Sequence, residues 1–262
     1  MAIQKGKYFT GLLGGLVLKI VNGQQVVVTK VESGKMKQTE ATKAWSGTFG
    51  MASAFSSQFK RALGFAPGSY ADPGLTNRLN TVMIKILKES RDTQTRLYHF
   101  QEDSFSGLTD FNFNIKSPVD KLLLIRPQIN FVPGLLEISF PDSDKRPLIR
   151  FPKNSVRCKL TFDIVFFRLM DGLVSTNADQ QSIIILNDQK EINMDILNFT
   201  IPDGCLYVAT LFLEYAAAGK NDWRIVNDVN FNPCSILGTK ITSGIYQNDN
   251  NRLWTEMICF DG

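Results

Sequence analysis

Histidine is nearly missing from this chain: His99 is the single one in 262 residues. Zinc sites and most acid–base dyads draw on imidazole, so the scarcity weighs against both. Cysteine is sparse too. Cys158, Cys205, Cys234 and Cys259 lie 47, 29 and 25 residues apart, with no C-x-x-C pair, so metal-finger spacing is absent. Each stands among apolar neighbours and reads as a buried, reduced thiol; one or two disulfides in an exported protein are the rival reading. The chain has no G-x-S-x-G, no G-x-x-x-x-G-K and no G-x-G-x-x-G. Gly11, Gly14 and Gly15 resemble a phosphate loop in composition only, because strand-like sequence follows them where a phosphate loop opens a helix. Long apolar runs are also wanting, and none reaches the ~20 residues of a membrane span. Lys5 and Lys7 precede an apolar run, but Lys19 and Asn22-Gly23 interrupt it and no small-residue cleavage site follows. The expectation is a cytoplasmic protein without a cleaved signal, released if at all as part of an assembly.

What remains is an ordinary globular composition, 44% apolar and 21% charged, which excludes disordered and collagen-like chains. The length suits one large domain or two modest ones. Charge is placed unevenly. Residues 1–100 carry 14 basic and 5 acidic side chains, whereas residues 101–262 carry 15 and 20. That asymmetry permits head-to-tail attraction between copies, or an anionic partner for the first region. Lys30, Lys35, Lys37, Lys43, Lys60, Arg61, Lys85, Lys88 and Arg91 make nucleic acid a rival partner, but no nucleic-acid-binding signature accompanies them. The paired carboxylates Glu102/Asp103 and Asp142/Asp144 and the polar run 248–251 read as solvated turns rather than calcium loops. No cofactor and no metal are expected.

Residues 11–31 read as a β-hairpin. Leu16–Val21 and Gln24–Val31 are β-branched runs around Asn22-Gly23, the dipeptide that supplies the positive φ angles of a tight hairpin turn. Both strands are nearly continuous in apolar residues, and a strand apolar on both faces has to be covered on both faces. Residues 38–63 read as a helix with an aromatic stripe, Trp45, Phe49, Phe55, Phe59 and Leu63, set among small residues; the spacings are near four with one gap of six. Asp72 and Pro73 open a second helix through Leu75, Leu79, Val82, Met83, Ile86 and Leu87. A polar boundary follows up to residue 106. Beyond it, short apolar runs recur between Pro, Gly and Asp turns in the rhythm of an antiparallel sandwich.

Gly11, Gly14-Gly15 and the run Val21-Asn22-Gly23-Gln24-Gln25-Val26-Val27, followed by a basic stretch and a small-residue helix, resemble a group of uncharacterised Bacteroidota proteins with a β-rich second half. That resemblance implies a lineage and a two-part layout, and no catalytic residues. The residues together lead to an α+β expectation. A hairpin and two helices occupy residues 1–106, and an antiparallel β-sandwich of the immunoglobulin or fibronectin kind occupies residues 107–262. The expected function is non-enzymatic: a structural, self-associating subunit of a tube, filament, ring or tail-like particle, forming a homo-oligomer. Its expected contacts are Leu16, Leu18, Ile20, Val26, Val28, Trp45, Phe49, Phe55 and Phe59, with Asn22 and Gly23 as the turn. A binding module for glycan or peptide, using Trp223, Tyr246 and Trp254, is the alternative, and an enzyme built on His99 ranks last.

Overall fold

The computed structural model describes residues 2–21, 23–30, 39–63, 71–141, 147–189, 196–219, 222–247 and 252–260, with backbone alone for 40–45. Its contacts divide the chain into two compact units, Met1–Gly47 and Thr48–Gly262. The division falls between Gly47 and Thr48 rather than near residue 106, because both helices send their apolar faces into the core of the larger unit.

The smaller unit is an antiparallel meander of four strands, β1 (Ala2–Lys5), β2 (Tyr8–Leu13), β3 (Leu16–Val21) and β4 (Gln24–Thr29), in the order β1-β2-β3-β4. Two further elements, helix α1 (Glu40–Ala62) and helix α2 (Leu75–Ser90), follow it in the chain. Along α1 the buried positions are Thr48, Ala52, Phe55, Ser56 and Phe59, and Leu63 just beyond it is buried too. Phe49 is 56% exposed. The six-residue gap explains this: six steps turn a helix by about 240° beyond one full turn, so Phe49 and Phe55 cannot share a stripe. Leu75, Leu79, Met83, Ile86 and Leu87 form the buried face of α2. The helix starts at Leu75, three residues after the expected cap. Asp72 still accepts from the Gly74 N–H at 2.6 Å and pairs with Arg78 at 3.0 Å. Arg78 also donates to the Asn112 carbonyl at 2.8 Å, tying the start of α2 to the loop beyond.

The rest of the larger unit is β-rich. After the short helix α3 (Val119–Leu122) come β5 (Gln128–Val132), β6 (Leu135–Ser139), β7 (Arg157–Arg168), β8 (Leu173–Ser175), β9 (Asp179–Leu186) and β10 (Leu197–Thr200). The remaining strands are β11 (Leu206–Ala218), β12 (Trp223–Ile225), β13 (Cys234–Ile241) and β14 (Trp254–Glu256). One sheet of three strands has the order β10-β6-β5. A sheet of seven strands follows the path β12-β11-β7-β8-β14, with β13 also on β11 and β9 also on β7. Its spine is the antiparallel ladder of β7 with β11, from Arg157↔Ala216 to Phe167↔Leu206. Between Ala209 and Thr210 the register to β13 skips Leu237, a β-bulge that adds local twist.

Both faces of that ladder are apolar, and each has its own cover. Leu160, Phe162, Ile164 and Phe166 of β7, with Tyr207, Leu211 and Leu213 of β11, share one core with Leu136, Ile138 and Phe199 of the smaller sheet. Val165, Phe167, Val208 and Phe212 on the other face share a second core with Phe55, Phe59, Leu79 and Met83 of the two helices. The unit is therefore helices, seven-stranded sheet, three-stranded sheet. The α+β class holds. An immunoglobulin-type sandwich divides its strands about four and three and carries no helix layer; here the sheets are of seven and three strands.

Phe55 sits at the centre of the helix-side core. Its ring meets Phe59, Phe105, Phe167 and Phe260 edge-on, with centroids 5.1 to 6.1 Å apart. Phe55→Ala is expected to cost about 3–5 kcal/mol, as large aromatic deletions in cores do. Phe49→Ala is expected to cost less than about 0.5 kcal/mol. Urea titration of both variants measures the contrast, and equal losses would contradict the placement of the stripe.

Candidate functional site

The surface that the sequence singles out is the four-stranded meander. Its three connections are two residues long, because Lys5 pairs with Tyr8, Leu13 with Leu16 and Val21 with Gln24. Gly14 at φ +58° and Gly23 at φ +76° hold backbone angles that a side chain would strain. Tyr8 Oη donates to the Gly23 carbonyl at 2.6 Å, and the Phe9 N–H donates to Gln25 Oε1 at 3.1 Å, which fastens β2 to the β3–β4 turn. None of the described residues of β1 to β4 is buried. Leu13 is 59% exposed and Val27 52%.

Partners in a ladder share a face, so the register sorts these side chains. Leu13, Leu16 and Thr29 lie together, then Gly11, Leu18 and Val27, then Ile20 and Gln25. That face carries no charge across β2, β3 and β4. The opposite face has Leu12, Val17 and Val28, then Lys19 and Val26, then Val21 and Gln24. It is apolar with a lysine in its middle.

The residues expected to make contacts thus part company. Leu16, Leu18 and Ile20 occupy the uncharged face, and Val26 and Val28 the face with Lys19. Phe49 is on the surface of the larger unit. Phe55 and Phe59 are fully buried in its core and offer no surface, a correction that follows from the packing of α1 onto the seven-stranded sheet. The side chain of Trp45, and Asn22 of the turn, lie outside the described residues. Sequence reasoning missed β1 and β2. Tyr8-Phe9-Thr10, between Gly6 and Gly14-Gly15, was the signal, since paired strand formers bounded by glycine turns announce a meander.

The larger unit has an uncovered patch of its own. The helices cover only one end of their face of the large sheet. At the other end Leu186, Arg157, Ala216 and Ile225 lie in one row across four strands. Ile184, Leu186, Trp223 and Ile225 are exposed there, and Arg157 stacks over Trp223 at 3.8 Å. Tyr246 and Trp254 belong to another region. Trp254 Nε1 donates to Tyr246 Oη at 3.1 Å, their rings cross at 5.1 Å, and Arg168 caps Tyr246 at 4.4 Å. Much of the ring surface a sugar would need is taken up by these contacts, and the three aromatics do not form one platform.

His99 lines a cleft between α2 and the following loop with Lys85, Glu89, Asp103, Ser104 and Ser106. Among the described residues no hydrogen bond joins its ring to a serine or cysteine. Ser104 Oγ instead accepts from the Gln101 N–H at 2.8 Å. Glu102 pairs with Lys240 at 3.1 Å. Asp142 and Asp144 lie outside the described residues, as do 248–251. Among the described residues no three metal-ligating side chains gather, and no helix is long and apolar enough to cross a membrane. Burial pushes the Cys205 thiol up to about 12 and holds Cys158 and Cys234 well above the usual thiol range. Cys259 is exposed. Asp163 is buried on β7, where desolvation raises its carboxyl above the ordinary carboxylate range against the pull of a 2.7 Å hydrogen bond from Gln180.

These features define a layered α+β unit joined to a small, bare β-meander. Comparison with family models, with curated proteins and with solved structures finds no match for the chain.

Two outcomes follow from the buried titrating groups. In native protein at pH 8, one thiol, Cys259, is expected to react with a mass-tagged maleimide, and all four after denaturation; rapid native labelling of Cys158 would refute the packing of the sheets. For Asp163, the folded chain holds its proton more tightly than the unfolded chain, whose carboxyl titrates near the ordinary 3.8. The contribution of Asp163 to stability is therefore full below about pH 4 and is lost as pH climbs through the raised value. Asp163→Asn keeps the acceptor for Gln180 and removes the charge, so this loss is expected to disappear from urea titrations run across that range.

Proposed function

We propose that this chain is a non-enzymatic structural subunit that associates with copies of itself through the meander β1–β4, in a tube, filament, ring or tail-like particle. One observation carries the reading: a four-stranded sheet, apolar on both faces, has none of its described residues buried. Sheets of this size gain independent stability by packing a hydrophobic face on something else. An uncovered apolar surface of this extent marks a contact site. The strand β4 adds to the case. It ends the sheet, and its sequence Gln-Gln-Val-Val-Val-Thr has none of the charges or prolines that guard natural edges against further pairing.

Light scattering after gel filtration, at concentrations from about 1 to 100 µM, tests it; negative-stain images of the same fractions show the form of any particle. Oligomers that grow with concentration are expected. A monomer throughout, in low and high salt, would remove the proposal.

A further inference from the structure

The two faces of the meander are not equivalent, and the difference points to a geometry of contact. We infer that the uncharged face, Leu13, Leu16, Leu18, Ile20 and Val27, packs against the same face of a second copy across a two-fold axis, with the Lys19 face turned outward. The inference rests on the self-association proposed above and goes on to name the surface and its partner.

Charge decides between the faces. The register puts Lys19 in the middle of its face, beside Val26. Closing that face on its own copy would bring two lysines towards one apolar interface, and a buried ammonium without a partner is strongly unfavourable. Residues 1–47 hold seven lysines and only two acidic residues, so the unit has little acid of its own with which to neutralise them. Laying the uncharged face on a neighbour's Lys19 face would bury that ammonium equally unpaired. The uncharged face against its equal buries no charge at all. Its polar groups are Gln4 on β1 and Gln25 and Thr29 on β4; the Gln25 Oε1 is already satisfied by the Phe9 N–H, and Gln4 and Thr29 lie on the two outermost strands. Twisted sheets pack face to face readily, about 10 Å apart at roughly −30°.

Size sets the strength. Four strands at ~4.8 Å spacing and six residues at ~3.4 Å make a face of about 400 Å², or about 800 Å² for a pair. Stable complexes bury roughly 1,200–2,000 Å². The contact is therefore reversible, and becomes durable only where other contacts act with it. A second copy is the occupant that suits such a face: it meets it at the protein's own concentration, and no charge on the face selects an unlike partner.

The test compares three variants of the full chain by light scattering and sedimentation: Leu18→Lys on the uncharged face, Val17→Lys on the Lys19 face, and Ile184→Lys on the bare patch of the larger unit. Leu18→Lys is expected to weaken dimerisation about tenfold or more, while the other two leave it within about twofold. Leu18→Asn repeats the first substitution without charge, and far-UV circular dichroism checks that each variant keeps its sheet. Dissociation by Val17→Lys as strongly as by Leu18→Lys, or by Ile184→Lys instead, would overturn the two-fold packing while leaving self-association standing. Oligomers untouched by either Leu18 variant would do the same. A wild-type chain that never associates would remove the earlier reading, and this one with it.

Discussion

A strand that is apolar on both sides needs two covers, and this requirement shapes the whole molecule. In β7 and β11 it is met. Leu160, Phe162 and Ile164 find the three-stranded sheet on one side, and Val165 and Phe167 find the helices on the other. Because the ladder is long, both covers are large, and residues as distant in sequence as Phe55 and Phe260 come to lie against one sheet. In β3 and β4 the same kind of strand recurs with none of its described residues buried. The larger unit explains how such strands become stable; the smaller one shows what is left undone.

The interior bears the mark of the double cover in its polar residues. Alternation along β7 puts Thr161 and Asp163 on the helix side, fully in the core rather than at a wet surface. Asp163 meets Gln180, and Thr210 Oγ1 donates to its backbone carbonyl at 3.3 Å. Thr161 Oγ1 and Tyr215 Oη have no hydrogen-bond partner. Burial drives the Tyr215 hydroxyl far above the ordinary tyrosine range. Such groups cost stability where they lie. These two sit on the longest ladder, deep in its apolar surroundings.

Much of this was legible beforehand, for identifiable reasons. Asn22-Gly23 between β-branched runs placed the β3–β4 hairpin, because turn chemistry acts over four residues and needs no tertiary context. The apolar period of α2 was equally local. The aromatic stripe of α1 is legible only in part: spacings near four suggest one stripe, but the gap of six breaks it and turns Phe49 away from Phe55. Sequence order says nothing about which sheet an apolar helix face will choose, so the packing of both helices on the seven-stranded sheet is not legible in the chain. For the same reason the β-rich half suggested two balanced sheets, although β7 and β11 are long enough to gather most of the strands into one. Of the contact residues, Leu16, Leu18 and Ile20 could be found from apolarity, but only the register separates them from Val26 and Val28 and exposes the role of Lys19.

Chain order gives the bare meander a history as well as a place. It precedes the larger unit in the sequence, so β4 is made roughly 190 residues before the end of β11, an interval of roughly 10–40 s at usual synthesis rates. During that wait the long β7–β11 ladder does not exist, while the strands of the greasy ribbon are already made. Neighbouring nascent chains on one message carry the same ribbon at high local density, so the self-association proposed above would have its opportunity before either polypeptide is finished.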